Sequence, residues 1–156
     1  MLEIAIPGYK HLQLEHLILD YNGTLACDGY LVAGVRERLQ ALTAKLQIHV
    51  LTADTFGKAQ SGIQEIPCVL HILPAKDQDL GKLEYTKRLG SSSALCIGNG
   101  RNDRLMLEEA ALGIAVILGE GAATEALLAA DLVCSSIISA LALLAHPLRL
   151  VASLRS

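Results

Sequence analysis

Tryptophan is absent and aromatic residues make up only 3 % of the 156-residue chain, so a core has to be built from Leu, Ile, Val and Ala, as in a parallel sheet packed between helices. Positive charge is scarce and scattered. The formal net charge is -3, and no run of Lys or Arg offers a field to a phosphate backbone, which excludes nucleic acid as an expected partner. Cys27, Cys68, Cys96 and Cys134 lie far apart without C-x-x-C spacing, which argues against a zinc site or a redox dithiol. Buried reduced thiols and a cytoplasmic location are the expectation. No apolar run has membrane-spanning length: the longest uncharged stretch, after Asp131, is broken by Ser135, Ser136, Ser139, His146 and Pro147. "MLEIAIPGYK" at the start has no basic segment, long apolar run and cleavage site in sequence, so no membrane partner is expected. No linker or low-complexity stretch divides the chain, and one domain over 1–156 is expected.

The segments that are present alternate. "LEIAI" and "HLQLEHLILD" have the apolar pattern of strands, with Pro7-Gly8 as a turn between them and Asp20 at the end of the second. From Val32 to Leu46, Val35, Leu39, Leu42 and Leu46 recur at helical spacing, with Arg36, Glu37, Arg38 and Lys45 on other faces. "IHVLTAD" is a buried strand with a polar tip, and Asp54 caps a helix expected to begin at Thr55. "PCVLHIL", "ALCIG", "GIAVIL" and "DLVC" are further strands. Helices are expected from a cap at Asp79 to Leu89, after Asn102 to Ala110, from Thr124 to Ala130, over "SSIISALALLAH", and after Pro147. Such alternation predicts an α/β protein: a three-layer α/β/α, Rossmann-like parallel sheet. Ligands of such sheets bind beyond the carboxyl ends of the strands, so the polar tips at Asp20, Thr52 and Gly98-Asn99 are expected to meet there.

"DYNGT" after one strand, "LTAD" after the next, a lysine near a helix start and "GNGRND" after a later strand resemble, in order, the four motifs of the haloacid-dehalogenase-like phosphohydrolase superfamily. The resemblance runs from about Asp20 to Cys134. "IGNGRNDRLMLEEAALGIAVI" is especially similar to P-type ATPase phosphorylation domains and their small soluble relatives.

Each motif residue has a physical task. Asp20 is suited to attack phosphorus and carry an aspartyl-phosphate. Repulsion between a carboxylate and a phosphate dianion calls for positive charge, supplied by Mg²⁺ and a lysine. Lys82 in "GKLEYTKRL" fits the family's lysine-led helix, with Lys76 as the fallback. Thr52 is suited to donate its hydroxyl to a phosphate oxygen. The resemblance implies that the metal is held by Asp20, by the backbone carbonyl of Asn22 and by Asn99, with Asp103 close behind.

Two positions depart from the family. Its phosphatases have, two residues after the nucleophile, an aspartate that protonates the leaving group. Asn22 cannot exchange that proton, and loss of a positioned acid/base typically removes ~10²–10⁴-fold in rate, so slow turnover or a long-lived aspartyl-phosphate follows. Asn99 replaces a metal-binding carboxylate with a neutral amide, which predicts weak metal binding: Asp103 and the substrate phosphate would have to hold the ion with Asp20, with metal and phosphate entering together. The spacings from Asp20 to Thr52 and from Thr52 to Lys82 leave no room for a cap domain, so a neighbouring subunit in a homo-oligomer or a large phosphorylated substrate must cover the site. A P-type-ATPase-related phospho-acceptor or regulatory domain, and a non-catalytic interaction module, are the alternatives.

Overall fold

The computed structural model describes residues 1–54 and 57–156. The chain opens with an antiparallel hairpin, β1 (Leu2–Ala5) and β2 (His11–Leu14), that pairs Leu2 with Leu14 and Ala5 with His11. The apolar run "HLQLEHLILD" is therefore two strands and not one. At Glu15 the chain leaves the hairpin: the Glu15 amide donates to Ser93 O and its carbonyl accepts from Gln47 N, which threads β3 (His16–Asp20) into a second sheet.

After β3 comes a small flap, β4 (Ala26–Cys27) and β5 (Tyr30–Leu31), joined by Asp28-Gly29 at φ 52° and 84°. Two successive positive φ values make the twist-compatible hairpin turn for which Asp-Gly is suited. Helix α1 spans Val35–Leu42, shorter than the expected Val32–Leu46, because Gly34 at φ 86° turns the chain immediately before it. Then follow β6 (Gln47–Thr52), α2 (Ala59–Gly62), β7 (Val69–Ile72), α3 (Gln78–Leu89), β8 (Ala94–Gly98), α4 (Arg104–Glu109), β9 (Leu112–Val116), α5 (Thr124–Ala129), β10 (Leu132–Cys134), α6 (Ile137–Ala145) and α7 (Pro147–Leu154). The expected helix start at Thr55 lies outside the described residues; Asp54 Oδ1 accepts from the amide of Ala59, where α2 begins. The residue before α3 is Asp77, at φ 55°, and not Asp79, which sits in the first turn bound to Arg104.

The main sheet has six parallel strands in the order β10-β9-β8-β3-β6-β7. The expected three-layer α/β/α architecture is present. Alternation along β3 sends Leu17 and Leu19 into a core shared with Val35, Leu39, Ile137, Leu141 and Leu144 of α1 and α6, and Ile18 into a core with Tyr85, Met106 and Leu107 of α3 and α4. Among the described residues, only the flap, one helix, one further strand-helix pair and the strand β7 separate β3 from α3, and no cap domain is inserted.

All four cysteines are free thiols, and burial pushes Cys96 up to about 12. His49 is buried between His16 and Tyr85; burial holds it down to about 4, so it packs as a neutral ring. No single helix among the described residues is long and apolar enough to cross a membrane; α6 and α7 reach that composition only together, across a 105° bend.

Candidate active site

The strand order reverses at β3: the chain moves from β3 to β6 on one side and later returns to β8 on the other. A crevice opens at such a switch point beyond the strand ends, where β3 presents Asp20 and β8 presents Gly98 and Asn99. Lys82 reaches the same point from the second turn of α3. Its side chain shares the helix's inward face with Tyr85 and Thr86, at i+3 and i+4.

The centre is a buried ion triad. Lys82 Nζ lies 2.7 Å from Asp20 Oδ1 and 2.6 Å from Asp103 Oδ1. Lys82 and Asp103 are fully buried and Asp20 is 6 % exposed. Asp103 Oδ2 accepts from the amides of Asn99 (2.9 Å) and Gly100 (2.8 Å), so the carboxylate is fixed at both oxygens and holds the lysine in place. A Cβ at Gly98 would come within 2.5 Å of Asp103 Cγ, which explains the glycine at that strand end.

Around Asp20 the chain turns tightly: the Tyr21 carbonyl accepts from the amides of Thr24, Leu25 and Ala26. Gly23 adopts φ 79°, and a Cβ there would collide with the Asn99 amide. The Thr24 hydroxyl lies 3.1 Å from Asp20 Oδ2 and 3.3 Å from Asn99 Oδ1, so one proton serves two acceptors. Asn99 Nδ2 donates to Gly121 O at 3.0 Å, which fixes the amide with its oxygen toward the Thr24 hydroxyl. Asn22 Oδ1 is buried without a hydrogen-bond partner.

Thr52 is buried at the end of β6, one position beyond the residue paired with Asp20; its Oγ1 accepts from Asp54 N at 2.9 Å, leaving its own proton available. Lys76, by contrast, is exposed and lines a separate cleft with His71 and Arg88. The structure thus gathers Asp20, Asn99, Asp103 and Lys82 by direct contact and places Asn22 and Thr52 at the neighbouring strand ends. Thr24 was not among the candidates: in "DYNGT" it reads as a turn former, and only its fold-back onto Asp20 gives it a part in the site.

One ammonium between two carboxylates leaves a net negative charge in a dry place. Burial pushes the Asp20 carboxyl up to about 6, with the charge of Asp103 adding to the effect and Lys82 and Thr24 opposing it. Burial alone would lower the Lys82 ammonium, but Asp103 and Asp20 outweigh it and hold it above its ordinary range. A carboxyl raised in the folded state contributes stability below its unfolded value near 3.8 that is lost as pH climbs through 6. Asp20→Asn, which mimics the protonated form, is therefore expected to stabilise the metal-free protein by about 1–3 kcal/mol at pH 7 and by little at pH 4. Urea unfolding at both pH values measures the difference.

No family model matches the chain. Over 72 residues it is 43 % identical to the uncharacterized protein MJ0073 of Methanocaldococcus jannaschii, a stretch that covers 46 % of this chain and 77 % of that protein. Among solved structures, the 3-deoxy-D-manno-octulosonate 8-phosphate phosphatase of Moraxella catarrhalis, in complex with magnesium, phosphate and KDO, superposes with a TM-score of 0.67 at 18 % identity over 85 % of this chain and 86 % of that one. The cobalt-bound deoxy-D-mannose-octulosonate 8-phosphate phosphatase of Haemophilus influenzae gives 0.66 at 17 % identity over 80 % and 79 %. With its switch point, flap and buried triad in the same order along the chain as the motifs, this protein has the haloacid-dehalogenase-like fold, and it belongs to one sequence family with the archaeal protein MJ0073.

Proposed function

We propose that this protein is a capless, magnesium-dependent phosphohydrolase that takes a phosphoryl group onto Asp20 and releases it slowly. The observation that carries the reading is the buried Asp20–Lys82–Asp103 triad at the carboxyl edge of the sheet. A structural descendant with no use for the site would gain by replacing it with apolar side chains, since buried ion groups often cost stability.

The residues present fit a hard divalent cation. The triad has one negative charge in excess, Asn99 Oδ1 and Asp20 Oδ2 meet at the same Thr24 hydroxyl, and Asn22 Oδ1 is a buried acceptor without a partner. These are all oxygen donors, which suits Mg²⁺. Asp20, Asn99 and the backbone carbonyl of Asn22 would hold it; Asp103, expected to help hold the ion, has one oxygen on Lys82 and the other on the Asn99 and Gly100 amides, and fixes the lysine and the β8 loop instead. Bound there, the ion offsets the repulsion between the Asp20 carboxylate and a phosphate dianion. A site with one carboxylate ligand and two amide or carbonyl ligands binds weakly, so metal and phosphate enter together.

In the reaction an Asp20 oxygen attacks phosphorus, a new O–P bond forms, and the bond to the leaving oxygen breaks with its electron pair going to that oxygen. Lys82 keeps its proton and stabilises charge; the Thr52 hydroxyl donates to a phosphate oxygen. Asn22 has no proton to give the leaving group and cannot take one from the water that later attacks the aspartyl-phosphate. The second step is then slow whatever the substrate, and the first becomes slow as well when the leaving oxygen is a poor leaving group.

The neighbours' phosphatase names agree with phosphoryl chemistry. Their sugar phosphate is not carried over: among the described residues no cap domain is inserted, and likeness at 17–18 % identity carries the fold alone. A second copy of the chain or a large substrate covers the open site. Asn22 also favours a second reading, a phospho-acceptor domain related to P-type ATPases, in which the aspartyl-phosphate is itself the signal.

An aryl phosphate mixed with the protein and Mg²⁺ tests the proposal. The expected record is a rapid release of aryl alcohol approaching one equivalent, followed by slow steady turnover; chelation of Mg²⁺ or Asp20→Asn abolishes both. Mg²⁺-independent release, or release that survives in Asp20→Asn, would overturn it. The initial release without any turnover would select the phospho-acceptor reading.

A further inference from the structure

At the end of the molecule opposite the strand tips, the C-terminal halves of α1 and α6 enclose a groove of about 430 Å³. Its floor is apolar: Leu42, Leu141 and Leu144 are buried at its base. Ala41, Ala142 and Ala145 flank it, and their small side chains leave the space between the two helices open. The 105° bend between α6 and α7 closes one end and brings Arg149 over it.

Every titratable side chain that lines the groove is basic: Arg38, Lys45, His146 and Arg149. None of the four forms an ion pair among the described residues, although the Arg38 guanidinium donates to the Gly34 carbonyl at the start of α1. That grouping stands out in a chain whose formal net charge is -3. Complementing helix dipoles accounts for only part of it. Lys45 and His146 lie just past the C-terminal ends of α1 and α6, where cations are favoured. Arg38 lies within α1, and Arg149 sits in the first turn of α7, where a cation meets the positive end of the dipole and is disfavoured. Arg149 is thus placed against its local electrostatics and toward the groove.

We propose that this groove binds a small single-chain amphipathic anion, with its apolar body on the leucine floor and its carboxylate or phosphate head between Lys45 and Arg149. The volume falls in the range of about 300–1,000 Å³ usual for small-molecule sites. A concave, narrow floor takes a free ligand, whereas a bilayer surface needs a flat or convex apolar face. The inference is independent of the phosphatase reading, since no residue of the groove belongs to that site.

The test uses decanoate, below its micelle concentration, followed by amide chemical shifts of the full chain. Saturable shifts confined to residues 38–45 and 141–149 are expected. Decanol, which has the same body without the charge, binds at least about tenfold more weakly, because the rim supplies charge pairing that a hydroxyl cannot use. Two variants separate the contributions: Lys45→Glu with Arg149→Glu reverses the rim, and Ala142→Leu fills the groove without touching the charge. Each weakens decanoate by at least about tenfold, the loss of one good contact or ion pair. Equal binding of decanol and decanoate, unchanged binding in both variants, or binding seen only with anionic phospholipid vesicles would overturn the proposal.

Discussion

Replacing Lys82 with methionine is expected to destabilise the metal-free protein by about 3–5 kcal/mol at pH 7, a large part of the 5–15 kcal/mol typical of a domain. Methionine fills the cavity of the aliphatic stem, so the loss is electrostatic. Asp20 and Asp103 would face each other with no cation between them, and Asp103 is fully buried. Protonation relieves that repulsion, so the penalty shrinks as pH falls toward 4. Combining Lys82→Met with Asp20→Asn should recover part of the loss, because the second change removes one of the two stranded charges; the coupling is read from a double-mutant cycle of urea midpoints. A Lys82→Met protein as stable as wild type at pH 7 would mean that the lysine does not neutralise the pair.

Asn22→Asp is expected to raise steady-state turnover of an aryl phosphate by ~10²–10⁴-fold, the usual worth of a positioned general acid/base. Asn22, two residues after the nucleophile, has its Oδ1 buried without a partner, so a carboxyl of the same shape breaks no hydrogen bond of that oxygen. Because water attack limits the wild type, the initial release should merge into the steady state in the variant. The gain should be larger for an alkyl phosphate, whose leaving oxygen needs a proton, than for an aryl one. An unchanged rate with both substrates would show that Asn22 does not face the reacting atoms.

The alternation of strands and helices, the parallel sheet and the placing of Asp20, Thr52 and Asn99 at one sheet edge were legible because apolar strands ending in polar residues are a local signal, whereas Asp103 came from the resemblance alone. Lys82 and Lys76 could not be separated on spacing alone. The helix start at Gln78 decides between them, by turning Lys82 inward with Tyr85 and Thr86 and leaving Lys76 exposed. The break at Glu15 was hidden because both flanking segments are apolar; what divides them is backbone pairing with Ser93 and Gln47, far along the chain. The helix start after Asp77 was missed for one at Asp79, since two aspartates flank Gln78 and neither residue type nor spacing separates them; Asp77, at positive φ, lies outside the helix and Asp79 inside its first turn. Thr24 looked like part of a turn, and the basic rim of the α1–α6 groove like separate solvated residues, because Arg38 and Arg149 are brought together only by the packing of α1 against α6 and the bend into α7.

The most direct measurement is to trap the phosphorylated protein. Mixed with Mg²⁺ and an acyl or aryl phosphate, quenched in acid and digested, wild type should yield a single phosphorylated peptide containing Asp20, with the phosphate labile to hydroxylamine as an acyl phosphate is. The label should outlast many half-times of its formation in wild type and decay quickly in Asn22→Asp. Aryl alcohol released with no label on Asp20, or a label on another residue that persists in Asp20→Asn, would contradict the account.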